Sequence, residues 1–415
     1  MNEKEETITT KNTKFIAFTN NDFRLMWRAN LLSVIGDQMQ VVAIGWHVYL
    51  LTHSALALGL IGLSTFVPLA LFSLFGGSIA DRINRKKLLI IIYSLYIILS
   101  LLLAFTTVLK IITPTFIFVV NILFGVLIAF ETPASQSIIP HLVRKEHMTN
   151  AISLSLIMQQ IAKIAGPSLG GLVIAGFGPG AVYFINAVSF LLVISALVKI
   201  TYSGGIANTG LKLSFFKSIA EGFSFIRKKT IIWSTMLLDF FSNFFGAAAS
   251  LMPIFANDIL KVGPLGLGLL YAAPSIGAVI TGIVIAQKER IYEQGKILLF
   301  SIGIYAIATI MFGLSKIFIF SFIALIIAGA GDSISSIIRN TIRQLETPDH
   351  IKGRMTAINM IFYKGGPRLG EFEAGVVASS FGAPFSAALG GILTFISVLL
   401  INTFVPSIKK YKIQK

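Results

Sequence analysis

Gly166-Pro167-Ser168-Leu169-Gly170 recurs, in register, as Gly366-Pro367-Arg368-Leu369-Gly370. Each copy lies inside a long apolar stretch. A Gly-Pro pair within a helix costs several kcal/mol in a soluble protein, because proline lacks an N–H and clashes with the preceding turn. In a bilayer such breaks survive where neighbouring helices satisfy the freed backbone groups. Two matching breaks, one in each half, predict a duplicated membrane transporter whose working site lies near the repeat interface.

The remaining sequence points the same way. Of 415 residues, 55% are hydrophobic and 13% charged, with mean hydropathy +0.83; soluble domains carry about 25% charged residues. The apolar residues come in runs of about 20, the length that spans hydrocarbon. A net charge of +16 would suit a nucleic-acid partner, but the charges cluster between apolar runs, as loop charges of membrane proteins do. No nucleic acid is expected; the partners are the lipid bilayer, a small-molecule substrate and the proton. With no cysteine, disulfides, thiolate catalysis and thiolate metal sites are excluded. The histidines show no metal spacing, so neither metal nor other cofactor is expected. Residues 1–21 lack an apolar core, so no cleavable signal peptide is expected.

Twelve apolar spans fall near 23–52, 55–80, 87–109, 114–137, 150–176, 179–200, 231–257, 264–287, 295–314, 317–340, 353–381 and 384–406. They predict an all-α integral membrane protein with twelve transmembrane helices in two pseudo-symmetric six-helix bundles. The divisions are a tail at 1–21, a first bundle at 22–200, a linker at 201–230, a second bundle at 231–406 and a tail at 407–415. The linker opens with flexible Ser203-Gly204-Gly205. It closes with Phe216, Ile219, Ala220, Phe223 and Ile226 opposite Lys217, Glu221 and Lys228. That pattern suits an interfacial amphipathic helix or a solvated helix on the membrane face. Lys and Arg concentrate on one alternating set of segments, the tails, the linker and the loops of the 80s, 140s, 290s and 340s. The 340s loop is given Arg339, Arg343, Lys352 and Arg354. The opposite set holds Lys110, Lys261 and Lys316. The positive-inside rule therefore places both termini in the cytoplasm, which an even number of spans requires to be on one side.

The loop after the second span reads Gly77-Ser78-Ile79-Ala80-Asp81-Arg82-Ile83-Asn84-Arg85-Lys86-Lys87. It resembles the signature loop of the major facilitator superfamily, Gly-x-x-x-Asp-Arg-x-Gly-Arg-[Arg/Lys], with Asn84 in place of Gly. Asn tolerates a left-handed backbone, so the turn is expected to persist. The resemblance gives Gly77, Asp81, Arg82 and Arg85 a role in conformational gating, with Asp81 facing span eleven. Ala162 to Gly171 resembles the antiporter motif of the superfamily's exporters, Gly-x-x-x-Gly-Pro-x-x-Gly-Gly. Ala162, Gly166 and Gly170 share a helix face and let another helix approach closely, while Pro167 adds a kink. Gly166, Pro167 and Gly170 join the gating set.

The likeness runs nearly end to end, through Gly36-Asp37, Pro140 to Gly171, Gln344-x-x-x-Pro348-x-x-x-x-Gly353-Arg354 and Gly370-x-x-x-Ala374-Gly375. In these stretches the chain resembles the branch of bacterial macrolide-efflux and enterobactin-type siderophore exporters. The resemblance implies alternating access and proton-coupled export of an amphipathic siderophore or drug-like compound from the bacterial cytoplasmic (inner) membrane. A monomer is expected. One departure matters. Many proton antiporters of the superfamily carry Arg-x-x-Gln-Gly in span four, where this chain reads Asn121-Ile122-Leu123-Phe124-Gly125. Proton coupling must then use other groups, or the driving ion differs.

A charge in hydrocarbon costs at least a few kcal/mol, so every intramembrane charge is a candidate for substrate binding or proton coupling. The acids are Asp37, Glu131, Asp239, Asp332, Glu371 and Glu373; the bases are Lys163, Lys364 and Arg368. At roughly 1.5 Å per residue, Asp37, Lys163 and Lys364 fall near mid-bilayer. Glu131, Asp239 and Asp332 fall nearer the cytoplasmic end, where gating ion pairs are an equal reading. Asp37 leads as proton carrier, because protonation removes the penalty of burying its charge; a structural hydrogen bond is the rival. Lys364, Arg368 and Glu371 share one helix face. Lys163 and Lys364 hold matched places in the two halves and would suit a carboxylate-bearing substrate, which keeps import of an anionic solute open. Internal salt bridging of Lys364 and Arg368 to Glu371 and Asp37 is the competing reading. His47 is an outside candidate for proton relay. No Ser-His, paired-acid or metal constellation supports an enzyme, and a non-transporting receptor is the remaining alternative.

Overall fold

The computed structural model describes residues 15–204, 223–227 and 229–412, with the backbone alone at 74–82 and at eight positions between 349 and 364. Twelve long helices cross these residues. In the first half they are α1 (Asn21–Thr52), α2 (Ala55–Arg82), α3 (Arg85–Val108), α4 (Pro114–Leu142), α5 (Met148–Phe177) and α6 (Pro179–Lys199). In the second half they are α7 (Thr230–Phe245), α8 (Gly263–Ala286), α9 (Gln294–Leu314), α10 (Phe318–Glu346), α11 (Asp349–Phe381) and α12 (Ala383–Phe404). Local sequence sets the ends. Asn20 caps α1 by accepting from the Asp22 N–H at 3.0 Å, and Thr113 caps α4 just before Pro114. The tight turns from α5 to α6 and from α11 to α12 both pivot on a left-handed glycine, Gly178 (φ 77°) and Gly382 (φ 87°), where a side chain would be strained.

The two halves share one packing plan. In the first, α1 lies on α5 and α6, α2 on α4, and α3 on α6 and α4. In the second, α7 lies on α11 and α12, α8 on α10, and α9 on α12 and α10. This is the twelve-helix, two-bundle fold that the duplicated phrase predicts. Both copies of the phrase pack on the first helix of their own half. Gly166 and Gly170 press on Ile35 and Met39 of α1; Gly366 and Gly370 press on Phe240 and Phe244 of α7. Both helices continue through Pro167 and Pro367.

Ten helices among the described residues are long and apolar enough to cross a membrane. The chain is a multi-pass membrane protein. The odd-numbered helices run from the end that carries both chain termini, here the terminal end, to the far end.

The halves meet along two seams, α2 with α11 and α5 with α8, close to the far end. A Cβ on Gly59 would lie 3.1 Å from the Gly375 Cα, and one on Gly171 3.0 Å from the Gly268 Cα. At these points backbone touches backbone, which only glycine permits.

Three expectations are corrected. Asn84 is not left-handed; at φ −57° it caps α3 by accepting from the Lys87 N–H, so its side chain replaces the turn that glycine would supply. Arg339 and Arg343 are not loop charges. Helix α10 continues to Glu346 and buries them to 1% and 2% exposure. The seventh span is not one continuous helix. It breaks at Gly246, whose carbonyl accepts from the Tyr305 hydroxyl at 3.0 Å. It then proceeds through a 3-10 turn (Ala248–Leu251), a short helix (Met252–Ile254) and a π turn (Phe255–Ile259). The amphipathic linker segment lies largely outside the described residues; 223–227 is helical with Ile226 buried.

Candidate functional site

A cavity of about 440 Å³ lies at the centre of the first bundle, against α11. Toward the terminal end it is lined by Asn30, Gln136 and Gln159; its deepest residues are Ile44 and Ile61. Beyond them the two glycine seams close the molecule, and the Tyr49 hydroxyl donates to Asp258 from one half to the other.

Two acids among the described residues face the cavity. Asp37, on α1, accepts from Asn186 Nδ2 of α6 at 3.3 Å. The same amide donates to Gln40 Oε1 at 2.9 Å, and Ser100 of α3 donates to that oxygen at 3.3 Å. Asn186 Oδ1 in turn accepts from the Ser189 hydroxyl at 3.0 Å. Gly36 gives this network room, since a Cβ there would come within 2.9 Å of Ser189 Oγ. No basic side chain among the described residues pairs with Asp37. Glu131, on α4, accepts from the Tyr93 hydroxyl at 3.4 Å. An aromatic wall completes this side: Tyr96 stacks on Phe124 at 5.4 Å and on Phe190 at 5.1 Å, and all three line the cavity. Carboxylates, neutral amides and flat apolar faces together can hold a proton or a polar group beside an apolar body.

Among the described residues, one base reaches the cavity from the second bundle. Arg368 lines it and pairs with Glu371 at 3.0 Å. The pair lies within α11, with the Glu371 carboxylate against Gly62 of α2 where the two halves meet. Internal salt bridging therefore accounts for Arg368, with Glu371 and not Asp37 as its partner. Lys163 is exposed on α5 and is not among the cavity residues. The side chains of Lys364, Gly77, Asp81 and Arg82 lie outside the described residues; Arg85 opens α3.

Asp239 and Asp332 belong to a second cluster, among α7, α10 and α11. Asp239 (2% exposed) accepts from Arg339 at 3.2 Å and from Arg343 at 3.0 Å. Asp332 lies 3.5 Å from Arg339 with its side chain 44% exposed. Arg343 also donates to Asn340 at 3.0 Å and to Asn359 of α11. The ion-pair reading fits Asp239, a burial possible only because two guanidinium groups meet it.

His47, buried in α1, lies 3.2 Å from the Tyr183 hydroxyl of α6 and outside the cavity. Sequence reading missed Asn186, a lone amide in an apolar span with no motif around it. It also missed what the signature loop does here. Lys86 Nζ donates to the Ile200 carbonyl at 3.0 Å and Asn84 Nδ2 to the Ser203 carbonyl at 2.8 Å. Both tie the α2–α3 loop to the end of α6, where a cation meets the negative end of the helix.

The family model described as transmembrane secretion effector matches residues 12–414. A staphyloferrin A transporter of Staphylococcus aureus is 22% identical over 94% of this chain and 98% of its own length. An enterobactin exporter of Salmonella typhi is 23% identical over 95% of this chain and 94% of its own. Among solved structures, a bacterial homologue of the human lysosomal transporter Spinster superposes with a TM-score of 0.70. It is 16% identical and covers 94% of this chain and 96% of its own.

Proposed function

Because this chain belongs to the transmembrane secretion effector family, within the major facilitator superfamily of transporters, we propose that it exports an amphipathic siderophore or drug-like compound in exchange for protons, by alternating access. The observation that carries this reading is Asp37. It is a carboxylate on the wall of a closed-ended, amphipathic cavity, held by a neutral amide and by no described base. A carboxylate so placed is a candidate to take a proton or a ligand in turn, with the structural hydrogen bond from Asn186 of α6 as the rival reading. Both relatives are named for siderophores, which supports that substrate class. The concentration of Lys and Arg at the terminal end supports a cytoplasmic location for both termini, in the bacterial cytoplasmic membrane. On that placement the cavity faces the cytoplasm, the side from which an exporter loads. Import of an anionic solute has less support, since Arg368 is already neutralised by Glu371 and Lys163 lies outside the cavity.

Purified protein in liposomes, given enterobactin and staphyloferrin A as probes under an imposed pH gradient, tests the reading. Flux should follow the gradient and reverse with it. Flux that ignores the gradient removes the proton, and flux of neither probe removes the siderophore.

A further inference from the structure

Asn121 stands on α4, on the cavity wall, with 4% of its surface exposed. Its Nδ2 has no hydrogen-bond partner among the described residues. Buried amides are almost always satisfied, because a bare one gives up its hydration for nothing. Nothing in α4 calls for one here. Asn is a weaker helix former than Leu, and Ile117 and Phe124, one turn away on either side, are apolar and buried. The side chain therefore weakens the fold without a structural return.

What surrounds it points to a ligand. Phe124, one turn along, stacks on Tyr96, and Tyr96 stacks on Phe190. Tyr96 lines the same cavity, so one unpartnered amide and one phenol hydroxyl are set into a single aromatic wall.

We propose that Asn121 is a specificity-determining residue, whose amide reads a hydroxyl or carbonyl oxygen carried on a planar ring of the transported compound. This rests on the export reading of the same cavity and deepens it. A primary amide donates at one end and accepts at the other, and it turns about its last bond. It therefore serves either kind of oxygen, while the rings beside it favour a flat apolar body. Tyr96 supplies a second hydrogen bond to the same end of the ligand.

The test uses Asn121→Leu and Tyr96→Phe, full-length, with enterobactin as probe. KM and kcat are measured in proteoliposomes, and thermal unfolding is measured for each variant in one detergent. Asn121→Leu is expected to unfold at or above the wild-type temperature while its KM rises about tenfold, the scale of one lost hydrogen bond. Tyr96→Phe is expected to raise KM several-fold with its unfolding unchanged. A lower unfolding temperature for Asn121→Leu overturns the assignment, because the amide is then structural. An unchanged KM overturns it as well. Wild-type protein that moves no enterobactin overturns the siderophore reading instead. The thermal arm then decides for Asn121 alone, a stabilised variant supporting it and a destabilised one removing it.

Discussion

Deleting the Asp239 carboxylate should cost this protein a large part of its stability. Asp239 serves two guanidinium groups, at 3.2 Å and 3.0 Å, in a site where all three residues are at most 2% exposed. In Asp239→Ala, Arg343 keeps only neutral acceptors, namely Asn340, Asn359 and the Arg339 carbonyl. Arg339 keeps a distant carboxylate, Asp332 at 3.5 Å. Breaking a buried pair by removing one partner costs about 3–5 kcal/mol, and two stranded cations place this case at the upper end. Total stabilities are about 5–15 kcal/mol, so the variant should be marginal. The structure supplies its own control: Asp332 is 44% exposed, and Asp332→Ala should cost only about 0–1 kcal/mol. Converting the triad together, Asp239→Leu with Arg339→Met and Arg343→Met, should recover most of the loss, since apolar packing replaces buried ion pairs at little penalty. Denaturant unfolding followed by tryptophan fluorescence, in one detergent, measures all three. An Asp239→Ala variant within about 1 kcal/mol of wild type, or a triple variant worse than the single, would refute the argument.

Asp37→Asn should abolish flux driven by a pH gradient while substrate counterflow without a gradient persists, as read in proteoliposomes; loss of both would mean that the residue is structural. Gly268→Leu should block transport, because even a Cβ there meets the Gly171 Cα at 3.1 Å, and the far end would be held apart. Paired labels across α5 and α8 would read this as a longer distance, and native-like flux would contradict it. The C-terminal tail should undock in acid. Glu293 accepts from Lys296 and Lys412, each at 2.9 Å, and these partners, Lys412 foremost, hold its carboxyl below the ordinary range. A depressed folded pKa gives stability that is present above the unfolded value and lost as pH falls through the folded one. Protection of the Gly295 amide, which donates to the Tyr411 carbonyl at 3.1 Å, measured as exchange relative to the unstructured rate at the same pH, should therefore be high at neutral pH and fall below about pH 4. Equal protection at both would remove the tail's ionic anchor.

The twelve helices were legible because each must bury its whole length in hydrocarbon, and an apolar run of that length has few other uses. The break in the seventh span, after α7, was not. Gly246 and Pro253 are both tolerated in membrane helices, and only the Tyr305 hydroxyl on another helix shows where the chain gives way. Arg339 and Arg343 were misplaced because charges at the end of an apolar run look like loop charges. Their spacing held the correction. Asp332, Arg339 and Arg343 stand at i, i+7 and i+11, one face of a helix, and Asp239 sits at matching depth in α7. In the cavity, Asp37 and Glu131 were visible as charges in hydrocarbon. Asn186 was silent because a single amide in an apolar span has no period and no motif. Asn84 was recognised as a substitute for glycine, but the reason was wrong: it works through its side chain and not through its φ.

The glycine contacts that close the far end have an entropic consequence. Side chains frozen at an interface lose rotamer freedom, up to about 2 kcal/mol for the longest. At Gly59 against Gly375, and Gly171 against Gly268, there are no rotamers to freeze. Joining the halves at these points orders almost nothing, and parting them releases almost nothing. On the proposed alternating-access reading, two arrangements separated by such seams would stay close in free energy, and the small difference made by one proton or one bound molecule would be enough to decide between them.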